Sequence, residues 1–154
     1  MPIENDIAVL ERVPILRRLG AGALRILAIG AESQRVETGQ VLFTAGDVAD
    51  GAYIVQQGSF TLKPERSGDN EVIAGPGTLL GESALVAETR RPATATAREK
   101  STVMRISRAL FLKMLEGYPD AAHRMREVIA ARADQWAREI ENVRAALTPR
   151  PKPR

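Results

Sequence analysis

The chain has 154 residues, of which 44% are hydrophobic and 27% are charged, a balance that is ordinary for one globular domain. It contains no cysteine, which excludes disulfide bonds, iron–sulfur clusters and thiolate chemistry. The net charge of +3 comes from three bases in the last seven residues, and the other 19 bases balance 19 acids, which argues against a nucleic-acid-binding domain.

The first 32 residues are predicted to be helical in short pieces. Residues 1–12 form a helical segment with acids where an export signal has bases, and no later apolar run approaches the ~20 residues of a membrane span. We therefore expect a cytoplasmic location and no membrane partner. Val13-Pro14 interrupts the helix, because a residue before proline avoids the α conformation. Gly20 and Gly22 end a second turn, and residues 23–29 form an apolar helix.

From Gln34 the hydrophobic period changes to two, which is typical of strands. Glycine-containing turns separate these runs at spacings of roughly 8–12 residues, as in a β-sandwich or β-roll. The sequence therefore predicts a mainly β fold with flanking helices. The predicted strands are 35–37, 41–43, 53–56, 60–63, 72–74, 94–97 and 102–106.

The chain is predicted to become helical again after the last strand. Ser107 is expected to cap a helix that ends at Gly117, and Pro119 begins another. Apolar residues along 119–147 are spaced by three and four, which is typical of a coiled coil, so a homodimer through this helix is expected. The basic, Pro-rich tail 148–154 is expected to be disordered.

The stretch 80–96, LGESALVAETRRPATAT, carries the candidate site. Gly81 allows close backbone approach, and the free N–H groups at the start of the next turn suit an anion. An arginine provides the N–H fork that matches phosphate oxygens. Glu82 is useful beside a phosphate if it accepts a hydrogen bond from a ligand hydroxyl. A phosphate with a neighbouring sugar hydroxyl describes a nucleotide monophosphate.

At these residues the sequence resembles the phosphate-binding cassette of cyclic nucleotide-binding domains, roughly F-G-E-x-A-L-x-x-x-x-x-R-x-A-T. Residues 42–58 resemble a second family segment, E-G-D followed by Y-x-I-x-x-G. The resemblance covers residues 13–147 and implies an antiparallel β-roll (a double-stranded β-helix or jelly roll) with N-terminal helices and a long C-terminal helix. It also implies binding of cAMP or cGMP without catalysis, metal or cofactor.

The resemblance assigns roles to individual residues. Glu82 would bind the ribose 2′-hydroxyl, Arg91 the cyclic phosphate, and the amides of 81–84 would surround that phosphate. Arg90 is the alternative phosphate ligand. Pro92 stands where the family usually has Ser, Thr or Ala, and it supplies neither an N–H nor a hydroxyl. The expected ligand-binding set is Gly81, Glu82, Ser83, Ala84, Arg91, Pro92, Ala93, Arg132 and Trp136.

Trp136 falls where the family's long helix meets the purine. Its indole would either stack on the base or pack in the core or dimer seam. Arg132, one turn earlier, would either reach the pocket or pair with an acid across the seam. We expect cAMP rather than cGMP, because Pro92 replaces the hydroxyl residue that commonly favours cGMP in the family.

The output of the domain is expected to be a population shift. Ligand would hold the cassette against the β-roll and reposition the helices from Ser107 to Leu147, which changes what those helices bind; the downstream protein is unknown. In regulators of the catabolite activator type, a helix-turn-helix domain of ~50 residues follows this helix. About seven residues follow Leu147 here, so we expect no DNA binding by this chain.

Two other readings of the sequence stay open. A degenerate domain would keep the fold, bind no nucleotide and serve as an interaction or dimerisation module, which Pro92 favours. A cupin-like metal enzyme would need several converging histidines or acids, and the chain has one histidine, His123.

Overall fold

The computed structural model describes residues 3–64, 71–125 and 127. Three helices precede the strands: α1 (Ile3–Glu11), α2 (Pro14–Arg17) and α3 (Ala21–Gly30). α1 ends at Glu11 and α2 begins at Pro14, which confirms the predicted interruption at Val13-Pro14. A proline is tolerated in the first turn of a helix because its missing amide would have no intrahelical partner there.

The predicted stop at Gly22 is wrong. Gly20, with φ of +91°, already separates α2 from α3, and Gly22 lies inside α3. A Cβ added at Gly22 would lie 2.8 Å from the ring of Tyr118, so this glycine serves close packing rather than termination.

Ten strands follow in the described part of the chain, and the seven predicted from the sequence are all present, two with the predicted ends and five with ends that differ by one to three residues. The three additional strands have two residues each, which is too short for an alternating pattern to be detected. The strands are β1 (Glu32–Val36), β2 (Val41–Phe43), β3 (Val48–Ala49), β4 (Gly51–Gln57), β5 (Phe60–Pro64), β6 (Val72–Ala74), β7 (Leu79–Leu80), β8 (Thr89–Arg90), β9 (Ala93–Ala97) and β10 (Ser101–Ser107).

The strands form two four-stranded sheets, ordered β1-β10-β4-β7 and β2-β9-β5-β6, with β3 and β8 as a separate pair. All of these pairs are antiparallel. The chain passes repeatedly between the two sheets, which confirms the predicted antiparallel β-roll with N-terminal helices.

Side-chain alternation along β4 divides the interior into two cores. Ile54 points to a core shared with the helices, and the next residue, Val55, points to a core between the sheets, because neighbouring strand residues face opposite sides. Leu10 of α1 is fully buried in the first core together with Phe111. The N-terminal helix therefore shares a core with the β-roll.

The helix α4 (Arg108–Gly117) begins where β10 ends. The Ser107 hydroxyl accepts a hydrogen bond from the Leu110 amide at 3.1 Å, which confirms the predicted cap. Residues 119–125 are also helical. The rest of the helix predicted over 119–147, its dimer seam and the tail 148–154 lie outside the described residues, except for residue 127.

Removing the cap at Ser107 is expected to lower the free energy of unfolding by about 1 kcal/mol, because the Leu110 amide loses its acceptor. Denaturant unfolding of Ser107→Ala beside wild type measures this difference. Ser107→Asp keeps an acceptor at the same position and should retain wild-type stability. Equal loss in both variants would contradict a capping role.

Candidate functional site

The turn that follows β7 carries a glycine and an acid, and it packs against β4, β8 and α4. Gly81 has φ of +81°, a left-handed conformation that favours glycine, and residues Glu82–Leu85 form a 3-10 turn. The Ala84 amide donates to the Gly81 carbonyl at 3.0 Å. Ala84 and Leu85 are buried and anchor the turn. We call residues 81–85 the cassette turn.

Arg91 lies between β8 and β9, and its backbone is fixed on both sides. Its amide donates to the Asp47 carbonyl at 2.8 Å, and its carbonyl accepts from the Gly46 amide at 2.8 Å. The side chain turns inward and leaves the residue only 5% exposed. The turn between β2 and β3 thus determines where the guanidinium enters the protein.

The Arg91 guanidinium lies against the cassette turn, and its buried Nη1 is unpaired. Nη2 donates to the Gly51 carbonyl at 2.7 Å. Nη1 is buried, and within the described part of the chain it is the one buried side-chain nitrogen or oxygen without a hydrogen-bond partner. A Cβ added at Gly81 would overlap Nη1, so the missing side chain of this glycine makes the room that Nη1 occupies.

Two aromatic rings support the guanidinium from another side. The Arg91 Cζ lies 4.5 Å from the ring centroid of Phe43 and 5.5 Å from that of Tyr53. The two rings stack on each other, with centroids 5.9 Å apart and planes 26° apart. We call Phe43 and Tyr53 the aromatic platform.

The electrostatics leave the Arg91 charge without a direct counter-ion. Burial lowers the pKa of Arg91 below its ordinary value, because the charged form loses water, and Asp50 acts in the opposite direction. The Asp50 carboxylate pairs with Arg105 at 2.8 Å, and the hydrogen bond from Arg105 lowers the pKa of Asp50. No ion pair involves Arg91 among residues 3–64, 71–125 and 127. A buried cation with an unfilled donor suits an anionic ligand.

The structure separates the two candidate arginines. Arg90 belongs to β8, pairs opposite Val48, and is exposed. Its Nη1 donates to the Gly46 carbonyl at 2.9 Å, on the outer side of the turn. Arg91 alone of the two reaches Gly81 with its side chain.

The other predicted site residues fall in two places. In the cassette turn, Glu82 is half-buried and Ser83 is exposed. Beyond Arg91, Pro92 is exposed and Ala93 is half-buried as the first residue of β9. Arg132 and Trp136 lie outside the described residues.

Three contributors to the site were not predicted from the sequence: the Gly51 carbonyl and the two rings of the aromatic platform. Phe43 and Tyr53 belong to the second resembling segment, but there they were interpreted only as strand residues. Phe43 lies in β2 and Tyr53 in β4, which belong to different sheets, so no local pattern indicates that they meet.

None of the described helices is long and apolar enough to cross a membrane. In the same part of the chain, no three His, Cys, Asp or Glu residues are grouped so that they could hold a metal ion.

Known proteins resemble this chain in sequence and in fold. Residues 33–118 match the family model described as cyclic nucleotide-binding domain. The chain is 34% identical over 108 residues to the cAMP-dependent protein kinase regulatory subunit of Yarrowia lipolytica, covering 69% of this chain and 28% of that protein. It is 29% identical over 106 residues to the cyclic AMP receptor protein of Thermus thermophilus, covering 67% and 49%.

A solved structure covers a similar region. The cyclic nucleotide-binding-like protein from Brucella abortus superimposes with a TM-score of 0.64 and 40% identity, covering 72% of this chain and 97% of that one. The chain spans less than half the length of the two curated relatives named above. The match to the family model runs from β1 to the end of α4.

Proposed function

This chain belongs to the cyclic nucleotide-binding domain family, and from that premise we propose that it is a sensor domain that binds cAMP, or cGMP, at Arg91 and the cassette turn. The ligand's cyclic phosphate is held by the guanidinium and by the amides of Gly81, Glu82, Ser83 and Ala84. Glu82 accepts a hydrogen bond from the ribose 2′-hydroxyl.

The observation that carries this proposal is the unused donor of Arg91. Leaving a buried N–H without a partner costs roughly 1–3 kcal/mol, and more for a charged group. A phosphate oxygen at Nη1 removes this cost and forms a charge-assisted hydrogen bond. The overlap of Nη1 with a Cβ at Gly81 puts this donor beside the cassette turn.

Contacts of Arg108 suggest how binding is transmitted. This first residue of α4 donates from Nη2 to the Ala49 carbonyl at 2.8 Å and from Nε to the Ala84 carbonyl in the cassette turn at 3.3 Å. Movement of the cassette turn would therefore displace the first residue of α4. The ligand shifts the helix population only as far as its affinities for the two arrangements differ.

Binding, rather than bond-breaking, is the function we propose for this region. We assign no nucleophile, base or metal set to it. cAMP is the first choice of ligand, because Pro92 replaces the hydroxyl that commonly favours cGMP in this family. Homodimerisation through 119–147 and a downstream protein partner remain part of the same proposal.

Calorimetric titration of nucleotide-free protein with cAMP and with cGMP tests the proposal. Micromolar binding of either ligand supports a sensor, and the ratio of the two dissociation constants ranks the bases. Absence of heat with both ligands, from protein shown to be folded by circular dichroism, would contradict it.

Replacing Pro92 with serine is expected to tighten cAMP binding about tenfold, because the change adds an amide and a hydroxyl beside the phosphate. Pro92 is exposed, so the fold should tolerate the change. Pro76→Ser, in the exposed turn between β6 and β7, is the matched control and should leave affinity unchanged. Unchanged or weaker binding by Pro92→Ser would show that no phosphate contact is missing there.

Pro92 also favours one other function, a degenerate domain that acts as an interaction module. Under this alternative, wild type binds neither nucleotide. If Pro92→Ser then gains binding, the loss of the phosphate contact at Pro92 explains the degeneracy.

A further inference from the structure

We propose that Phe43 and Tyr53 are positioning residues for the anion ligand, because they hold the Arg91 guanidinium in the orientation that directs Nη1 to the cassette turn. This inference rests on the proposed function, since the anion is taken to be the cyclic phosphate. It adds a role for two side chains that need not touch the ligand.

The first step is the directional restraint on Arg91. A guanidinium on a flexible side chain can rotate, and one hydrogen bond, from Nη2 to the Gly51 carbonyl at 2.7 Å, leaves rotation about that contact. The ring of Phe43 at 4.5 Å and that of Tyr53 at 5.5 Å limit the rotation, because the cation is attracted to the ring faces. The hydrogen bond restrains Nη2 and the rings restrain the plane of the guanidinium, so Nη1 is held beside Gly81.

The second step is the rigidity of the aromatic platform itself. Phe43 and Tyr53 come from the two different sheets and stack with their centroids 5.9 Å apart. Both rings are half-buried and pack against the core between the sheets. The platform is therefore supported by the β-roll.

The aromatic platform lowers the free-energy cost of ordering Arg91 when the ligand binds. A phosphate that meets an already oriented arginine does not need to order that side chain, and an immobilised side chain otherwise costs about 0.5–1.5 kcal/mol on binding. A ring cation contact leaves the N–H donors free, whereas a carboxylate at the same place would occupy them. The platform thus stabilises the charge without filling Nη1.

The test compares ring removal with ring retention. Phe43→Leu and Tyr53→Leu should each weaken cAMP binding roughly tenfold in calorimetry, about 1.4 kcal/mol. Tyr53→Phe keeps the ring and should bind within about twofold of wild type, as expected if the ring face carries the effect. Leu62→Ala, a truncation beside the same core, controls for a general loss of packing and should bind like wild type.

A second measurement does not depend on the nucleotide. In nitrogen-15 spectra of the ligand-free protein, the side-chain N–H signals of Arg91, identified by their loss in Arg91→Ala, should be displaced upfield by the rings. Phe43→Leu should remove most of that displacement, and Leu62→Ala should not.

The outcomes separate the two proposals. Wild type that binds no nucleotide would overturn the proposed function, while the spectra would still decide whether the rings hold the guanidinium. Tighter cAMP binding after ring removal would mean that the platform traps Arg91 away from the ligand, and it would overturn the positioning role. Unchanged Arg91 signals in Phe43→Leu would overturn it as well.

Discussion

Replacing Arg91 with alanine is expected to weaken cAMP and cGMP binding by at least about a hundredfold. Charge-assisted hydrogen bonds contribute about 1.5–3 kcal/mol each, and each 1.4 kcal/mol changes affinity tenfold. Arg91 is the one buried arginine side chain beside the cassette turn in the described part of the chain. Titration of the variant with both nucleotides measures the loss.

Arg90→Ala is the matched control for this experiment. It removes the same side chain one residue earlier, where the guanidinium is exposed and bonds the outer Gly46 carbonyl. We expect its affinity to stay within about threefold of wild type, since surface charges contribute little. Equal losses in both variants would mean that general positive charge, rather than the buried guanidinium, attracts the ligand.

Arg91→Lys separates charge from shape at the same position. Lysine keeps the positive charge but lacks the planar fork, so it cannot bond the Gly51 carbonyl and a phosphate oxygen with the same geometry. Its affinity should fall between those of wild type and Arg91→Ala. Each variant should be checked for folding by thermal unfolding, because Arg91 also contacts the aromatic platform.

Replacing Gly81 with alanine is expected to weaken cAMP binding about thirtyfold or more, equivalent to about 2 kcal/mol. The new methyl group would overlap Nη1 of Arg91, so the guanidinium must leave the Gly51 carbonyl or the cassette turn must shift. Either movement separates the arginine from the amides that we propose share the phosphate with it. Calorimetric titration and denaturant unfolding of the variant measure the two effects.

Gly39→Ala isolates the backbone part of that change. Gly39 has φ of +83°, close to the +81° of Gly81, so both variants bear the left-handed penalty of about 1–2 kcal/mol in stability. No described atom lies within 4 Å of a Cβ added at Gly39. Gly39→Ala should therefore lose stability and keep its affinity. If Gly81→Ala also kept its affinity, the cassette turn would not share a ligand with Arg91.

Local sequence patterns predicted the elements that have a clear period or a clear breaker. The cap at Ser107, the interruption at Pro14 and the seven longer strands are confirmed because hydroxyl, proline and alternation act on near neighbours. The helix stop predicted at Gly22 is wrong, because this glycine makes room for the ring of Tyr118, which lies 96 positions later in the sequence. The two-residue strands were missed because only their hydrogen-bonded pairing with another strand defines them, and two residues are too few to show an alternating pattern.

The sequence by itself predicted the β-roll, through its strand spacing and its family resemblance, and it supplied the candidate site: a glycine, an acid and an arginine at fixed spacing around one turn. The candidate site residues lie within about 15 positions of one another, where chain connectivity limits their separation. Only the tertiary structure decided that Arg91 is buried and Arg90 exposed, and that Gly51, Phe43 and Tyr53 surround its guanidinium. These groups meet because strands from two sheets fold over one another, and pairing between distant strands leaves no periodic mark in the sequence.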